Sequence, residues 1–113
     1  MSENCLFCKI VRGEIPSTRV AESETMLAFR DVNPQAPVHV LVIPKKHVAS
    51  LAVADDASML SDLLSFAASV ARSEEIEKPG YRVVANTGPD GGQTVDHLHL
   101  HVLGGRHMTW PPG

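Results

Sequence analysis

The 113-residue chain carries a formal charge of −3 and a pI near 6.0, which gives no reason to expect nucleic acid or an acidic membrane as partner. No apolar run is long enough to cross a bilayer, and Met1 to Asn4 lack the basic start and apolar run of a signal peptide. Two cysteines do not make a disulfide scaffold, so the cytoplasm is the expected compartment, and the length suits one domain over residues 1–113.

In chain order, Cys5 to Val11 reads as one or two turns of helix, with Asn4 placed to cap it and Gly13 to stop it. Ile15-Pro16-Ser17 is a turn. Arg19 to Glu22 and Thr25 to Arg30 are two strands around Ser23-Glu24, a hairpin. The prolines of Asp31 to Pro37 make that stretch a loop. Val38 to Ile43 is nearly all apolar and β-branched, the pattern of a buried central strand, ended by Pro44. Val48 to Ala52 suits a short helical turn. Asp55 to Glu77 is the one long helix, because Met59, Leu60, Leu63, Leu64, Ala67, Val70 and Ala71 recur at helical spacing. Pro79-Gly80 closes it, and Tyr81 to Asn86 is a further strand. Thr87 to Thr94 is a glycine-rich loop leading into a last strand, and Arg106 to Gly113 is a tail. The sum is an α+β domain: a five-stranded, mostly antiparallel sheet, one long helix and a short N-terminal helix.

The last strand carries the chemistry. In Val95-Asp96-His97-Leu98-His99-Leu100-His101-Val102, alternation puts Val95, His97, His99 and His101 on one face and Leu98, Leu100 and Val102 on the other. Neutral imidazole is a nucleophile toward phosphorus, and its cation is a general acid and an electrostatic clamp. Backbone N–H groups of the glycine-rich loop add anion binding. These features point to displacement at an anionic phosphate. A metal site and a merely exposed polar strand face are the competing readings of the same three rings.

His97-Leu98-His99-Leu100-His101-Val102-Leu103 resembles the motif of the histidine-triad (HIT) family. Phe7 to Pro16, Asn33 to His39, Val42 to His47 and Trp110 to Gly113 extend the resemblance over nearly the whole chain and look like its Hint branch, the purine nucleoside phosphoramidases. The resemblance implies that His99 attacks the α-phosphorus of a nucleoside phosphoramidate, expels the amine and leaves a nucleotidyl-histidine for water to hydrolyse. It makes His101 a phosphate-contacting partner and proton donor, and sets His39 behind the pair. Thr94 stands where relatives commonly have Ser; its hydroxyl reaches the phosphate or leaving group, and its extra methyl bears on leaving-group preference. Asn86, Gly92 and Gln93 fall in the phosphate-lining region together with Thr94 and Val95. Asp31 is the implied ribose ligand, and Leu6, Phe7, Ile10, Phe29 and Val32 the implied apolar slot for the base. No cofactor is required for this chemistry.

Cys5 and Cys8 form Cys-x-x-Cys, half of many zinc sites; a pair of buried thiols and a redox pair are the other readings. Some HIT relatives complete such a site with two histidines, which here correspond to His47 and His97, and a four-ligand zinc ion is structural. The resemblance also implies a homodimer, with Trp110 within reach of the partner's active site. The competing functions are a dinucleoside polyphosphate hydrolase or nucleotide transferase, and a nucleotide- or zinc-dependent interaction module.

Overall fold

The structure, a computed structural model, describes residues 2–113. A 3-10 turn at Ser2–Asn4 leads into helix α1 (Leu6–Val11), followed by strands β1 (Arg19–Glu22), β2 (Met26–Arg30) and β3 (Val38–Pro44). After a 3-10 turn at Leu51–Val53 come helix α2 (Ala57–Ser73) and strands β4 (Tyr81–Val84) and β5 (Leu100–Gly104). The five strands form one sheet in the order β1-β2-β3-β5-β4, and all four pairings are antiparallel.

Alternation along the central strands divides the molecule into two apolar layers. Met26 and Ala28 of β2, Val40 and Val42 of β3, and Leu100 and Val102 of β5 pack against Leu63, Ala67, Val70 and Ala71 of α2. Leu27, Phe29, Leu41 and Ile43 point the other way, against Phe7 and Ile10 of α1. β3 is therefore covered on both faces, which explains its lack of polar residues apart from His39.

Several boundaries differ from expectation, each for a local reason. Cys5, not Asn4, caps α1, its sulfur accepting from the Cys8 amide. Asp56 caps α2, accepting from the Met59 amide at 3.1 Å, so the helix begins at Ala57. α2 ends at Ser73, well before Pro79: Glu75 takes a left-handed conformation (φ 61°), which turns Ile76 back into the core. Pro44 does not stop β3 but is its last paired residue, opposite Met26. β4 stops at Val84 rather than Asn86.

The largest difference concerns the histidine strand. Its ladder begins only at Leu100, so His97 and His99 precede the sheet. The β3–β5 register ends at the Val42–Leu100 pair; Pro44, next in line opposite Leu98, has no N–H to donate, and the Leu98 amide bonds instead to the Val48 carbonyl at 2.7 Å. The division of faces survives: Leu98 lies in the α2 layer, Val95 packs on the α1 layer, and the histidine rings lie near Phe7.

Candidate active site

On the α1 face, a pocket of about 310 Å³ opens between α1, the end of β2 and the histidine segment. Its wall gathers Leu6, Phe7, Ile10, Phe29, Asp31, Val32, Thr94, Val95, His99 and His101. Phe7 stands edge-on to both Phe29 and His99, with ring centroids 5.5 and 5.1 Å apart. Val32 is 99% exposed and Leu6 is 45% exposed, so these two form the lip and the aromatic rings form the floor. The wall also includes Ile15, Pro16, Ser17, Arg30 and Leu41, none of which the sequence reading assigned. Leu41 was accessible from alternation with His39 along β3; the turn residues carried no local signal.

The hydrogen bonds fix the proton on each ring. The Gln35 amide donates to Nδ1 of His39 at 2.9 Å, so neutral His39 carries its hydrogen on Nε2. That nitrogen lies 2.9 Å from Nδ1 of His101 and 3.3 Å from Oδ2 of Asp31. Nδ1 of His101 must then accept, which puts its hydrogen on Nε2. His99 is fixed independently: Nδ1 lies 2.7 Å from the His97 carbonyl oxygen and donates to it, which leaves an Nε2 lone pair. The site thus combines an imidazole lone pair on His99 with an N–H on His101, on rings whose centroids are 5.1 Å apart. His39 and His101 are diagonal neighbours on adjacent strands, since His101 is opposite Leu41 in the β3–β5 register.

Burial keeps His39 and His101 neutral. It pushes the His101 pKa down to about 4, helped by the neighbouring His99 and His39, and lowers that of His39 against the pull of Asp31. Donor atoms of Asp31, His39 and His101 lie close enough together to suggest a second cation site. The orientation of His39 argues otherwise, because its Nε2 bears a hydrogen, not a lone pair. His39 is hydrogen-bonded to His101, with the Asp31 carboxylate beside the same nitrogen at 3.3 Å.

Beside them, Cys5, Cys8, His47 and His97 converge their ligand atoms within 4.8 Å of one another. Nδ1 of His97 is 3.3 Å from the Cys5 sulfur and 3.5 Å from that of Cys8, and Nδ1 of His47 is 3.4 Å from the Cys8 sulfur. A tetrahedral zinc with ordinary Zn–S and Zn–N bonds has an S···N edge of roughly 3.6 Å, so the donor set fits that ion. Nε2 of His97 donates to the Pro44 carbonyl oxygen at 2.8 Å, which turns the Nδ1 lone pair toward the sulfurs. Without an ion, burial and the neighbouring Cys5 push the Cys8 thiol up to about 11.

Asn86, Gly92 and Gln93 are not part of the pocket wall. Asn86 donates to the Gly91 carbonyl at 2.7 Å, and Gln93 donates to the carbonyls of Ala49 and Val95 while accepting from the Gly88 amide. Gly92 has φ +76°, the left-handed region that favours glycine. These residues shape the loop leading to Thr94, which is exposed at the pocket edge.

The antiparallel sheet, with its two helices and its histidine-lined pocket, is the architecture of histidine-triad proteins. A family model of the HIT domain matches residues 12–108, and the chain belongs to that family. Among solved structures, it resembles a HIT family hydrolase from Legionella pneumophila Philadelphia 1, with TM-score 0.95 and 54% identity, covering 97% of this chain and 100% of that one. It also resembles a histidine triad nucleotide-binding protein from Candida albicans, with TM-score 0.83 and 37% identity, over 96% and 83% of the two chains. A 14 kDa zinc-binding protein from Zea mays is 54% identical over 96% of this chain and 87% of the maize protein.

Proposed function

We propose that this protein is a hydrolase of the phosphoramidase type, cleaving the P–N bond of purine nucleoside monophosphates joined to an amine. The observation that carries the reading is the fixed proton arrangement: an Nε2 lone pair on His99 beside the Nε2–H of His101, at the inner end of an apolar pocket. His99 Nε2 attacks the α-phosphorus, the P–N bond opens as the departing nitrogen takes a proton from solvent at the open pocket mouth, and water hydrolyses the resulting nucleotidyl-histidine, returning His99 to its neutral form. His101 donates to a phosphoryl oxygen as charge develops there, with His39 holding its ring. Thr94 contacts the phosphate or leaving group from the pocket edge. The base slides between Leu6, Phe7, Ile10, Phe29 and Val32, with Val95 beside the phosphate, and Asp31 accepts from the ribose hydroxyls. Asn86, Gly92 and Gln93 act on the phosphate through the shape of the loop that carries Thr94. The similar Legionella hydrolase and Candida nucleotide-binding protein support the reading.

Cys5, Cys8, His47 and His97 hold a structural zinc ion, a reading supported by the donor geometry and by the name of the maize relative. The ion ties the start of α1 to the segment that carries His99 and supplies no open position for chemistry. A homodimer is proposed from the outward-facing Leu64 of α2, 59% exposed, and Trp110, 82% exposed.

The test is to trap the intermediate: mix the protein with an adenosine phosphoramidate, quench without acid, and map the adduct by mass spectrometry. An adenylyl group on His99 is expected; one on His97 or His101 overturns the assignment. Turnover of diadenosine polyphosphates in clear preference to phosphoramidates overturns the substrate class.

A further inference from the structure

We infer that the ribose end of the pocket is coupled to the phosphate end through His39, so that a ribose diol raises the rate of the chemical step as well as affinity. This rests on the nucleotide reading above and adds a claim that can fail separately.

His39 Nε2 has a single hydrogen, because the Gln35 amide occupies Nδ1. That hydrogen is bonded to Nδ1 of His101 at 2.9 Å, and the negative Oδ2 of Asp31, 3.3 Å from the same nitrogen, pulls on it electrostatically. The Asp31 carboxylate is held in place, with Oδ1 accepting from the Asn33 amide at 2.8 Å, and the residue lines the pocket. A carboxylate has about four acceptor directions, so this one retains capacity for ligand hydroxyls. His39, by contrast, is buried and outside the pocket wall. It touches neither ribose nor phosphate and is a positioning residue.

Donation by two ribose hydroxyls spreads the Asp31 charge over new hydrogen bonds and weakens its pull on the His39 hydrogen. The bond from that hydrogen to Nδ1 of His101 then strengthens. An imidazole that accepts a stronger bond at Nδ1 presents a more acidic Nε2–H, since hydrogen bonds in a chain polarise one another. The His101 N–H becomes the better donor to the phosphoryl oxygen at the moment His99 attacks. Removing a ribose hydroxyl leaves more charge on Asp31, and its pull on that hydrogen persists. The sugar is therefore sensed at the reacting phosphorus through one imidazole, with no movement of the backbone.

The test uses the full chain with its metal bound. Imidazole ¹⁵N and N–H proton resonances of His39 and His101 are recorded with AMP and with 2′-deoxy-AMP, both at saturation. AMP should shift the His39 and His101 N–H signals downfield, and 2′-deoxy-AMP should shift them distinctly less. In single-turnover hydrolysis of the matching phosphoramidates, the saturating rate should fall about fivefold for the deoxy substrate, the scale of one altered hydrogen bond. His39→Gln should slow both substrates and remove that difference. Equal shifts with both nucleotides, or a deoxy penalty confined to the half-saturating concentration, overturn the coupling and leave the nucleotide reading standing. Failure of either nucleotide to bind overturns the nucleotide reading and the coupling with it.

Discussion

Two histidine clusters lie a few residues apart in this protein, and they are built on opposite principles. In one, Nδ1 of His47 and of His97 face two sulfurs, so potential ligand atoms converge on a point. In the other, His39 and His101 are joined nitrogen to nitrogen, donor to acceptor, with the Asp31 carboxylate 3.3 Å from the donating nitrogen. The first arrangement suits a cation and the second suits the transmission of a proton's position. What separates them is one backbone contact apiece: the Pro44 carbonyl on Nε2 of His97 and the Gln35 amide on Nδ1 of His39. Residue type does not determine the chemistry of an imidazole; the group on its far nitrogen does.

His99 lies between the clusters and belongs to neither, so its loss should have the largest effect. His99→Ala is expected to reduce kcat/KM on an adenosine phosphoramidate by at least about 10⁴-fold, the scale of removing a covalent nucleophile, with metal content and thermal midpoint unchanged. A loss of metal or stability in this variant would erase the distinction between the clusters.

Breaking the convergent cluster should cost stability first. Chelation, or Cys8→Ser, is expected to lower the thermal midpoint by about 10 °C, with metal analysis showing loss of zinc. Protein that remains folded should still bind AMP. Unchanged stability in metal-free protein would refute a structural role.

The linear cluster should instead reveal itself through pH. Burial holds His39 and His101 below the unfolded imidazole value of 6.5, His101 to about 4. The unfolded chain therefore binds more protons than the folded one in that range. Their contribution to stability is complete above pH 6.5 and is lost as pH falls toward about 4. Denaturant midpoints measured across this window should decline on acidification, and His101→Asn should make the decline shallower. An identical slope in the variant would show that other groups govern acid unfolding. The smallest effect is expected at the pocket edge, where Thr94→Ser should change the preference between bulky and slender amines by under about tenfold, read as a ratio of kcat/KM values.

Much of the layout was legible in the sequence because it rests on periodicity. Alternation in Val38 to Ile43 and in His97 to Val102 assigns residues to faces, and the helical recurrence from Met59 to Ala71 identifies the helix over them. Pocket residues such as Phe7, Phe29 and Asp31 came from family resemblance, since taken singly each resembles ordinary core or turn. The start of β5 was not legible, because it depends on which residues of β3 stand opposite, Pro44 among them, a property of the partner strand. Nor were the ring protons: His39 is governed by the Gln35 amide, four residues away in sequence, through a loop geometry that composition does not encode. Asn86 and Gln93 were assigned near the phosphate, and their hydrogen bonds into the loop became visible only with coordinates.

Cys5 and His97 are separated by 92 positions, nearly the length of the protein. During synthesis the two thiols are made first and must wait for almost all of the chain before their last ligand exists. An ion shared by these residues closes a ring around nearly the whole polypeptide, and closing a large ring removes more freedom from the disordered chain than closing a small one. The hold of an ion at this site would therefore be exerted along nearly the whole polypeptide, and it would be completed only after the histidine segment proposed as catalytic has been made.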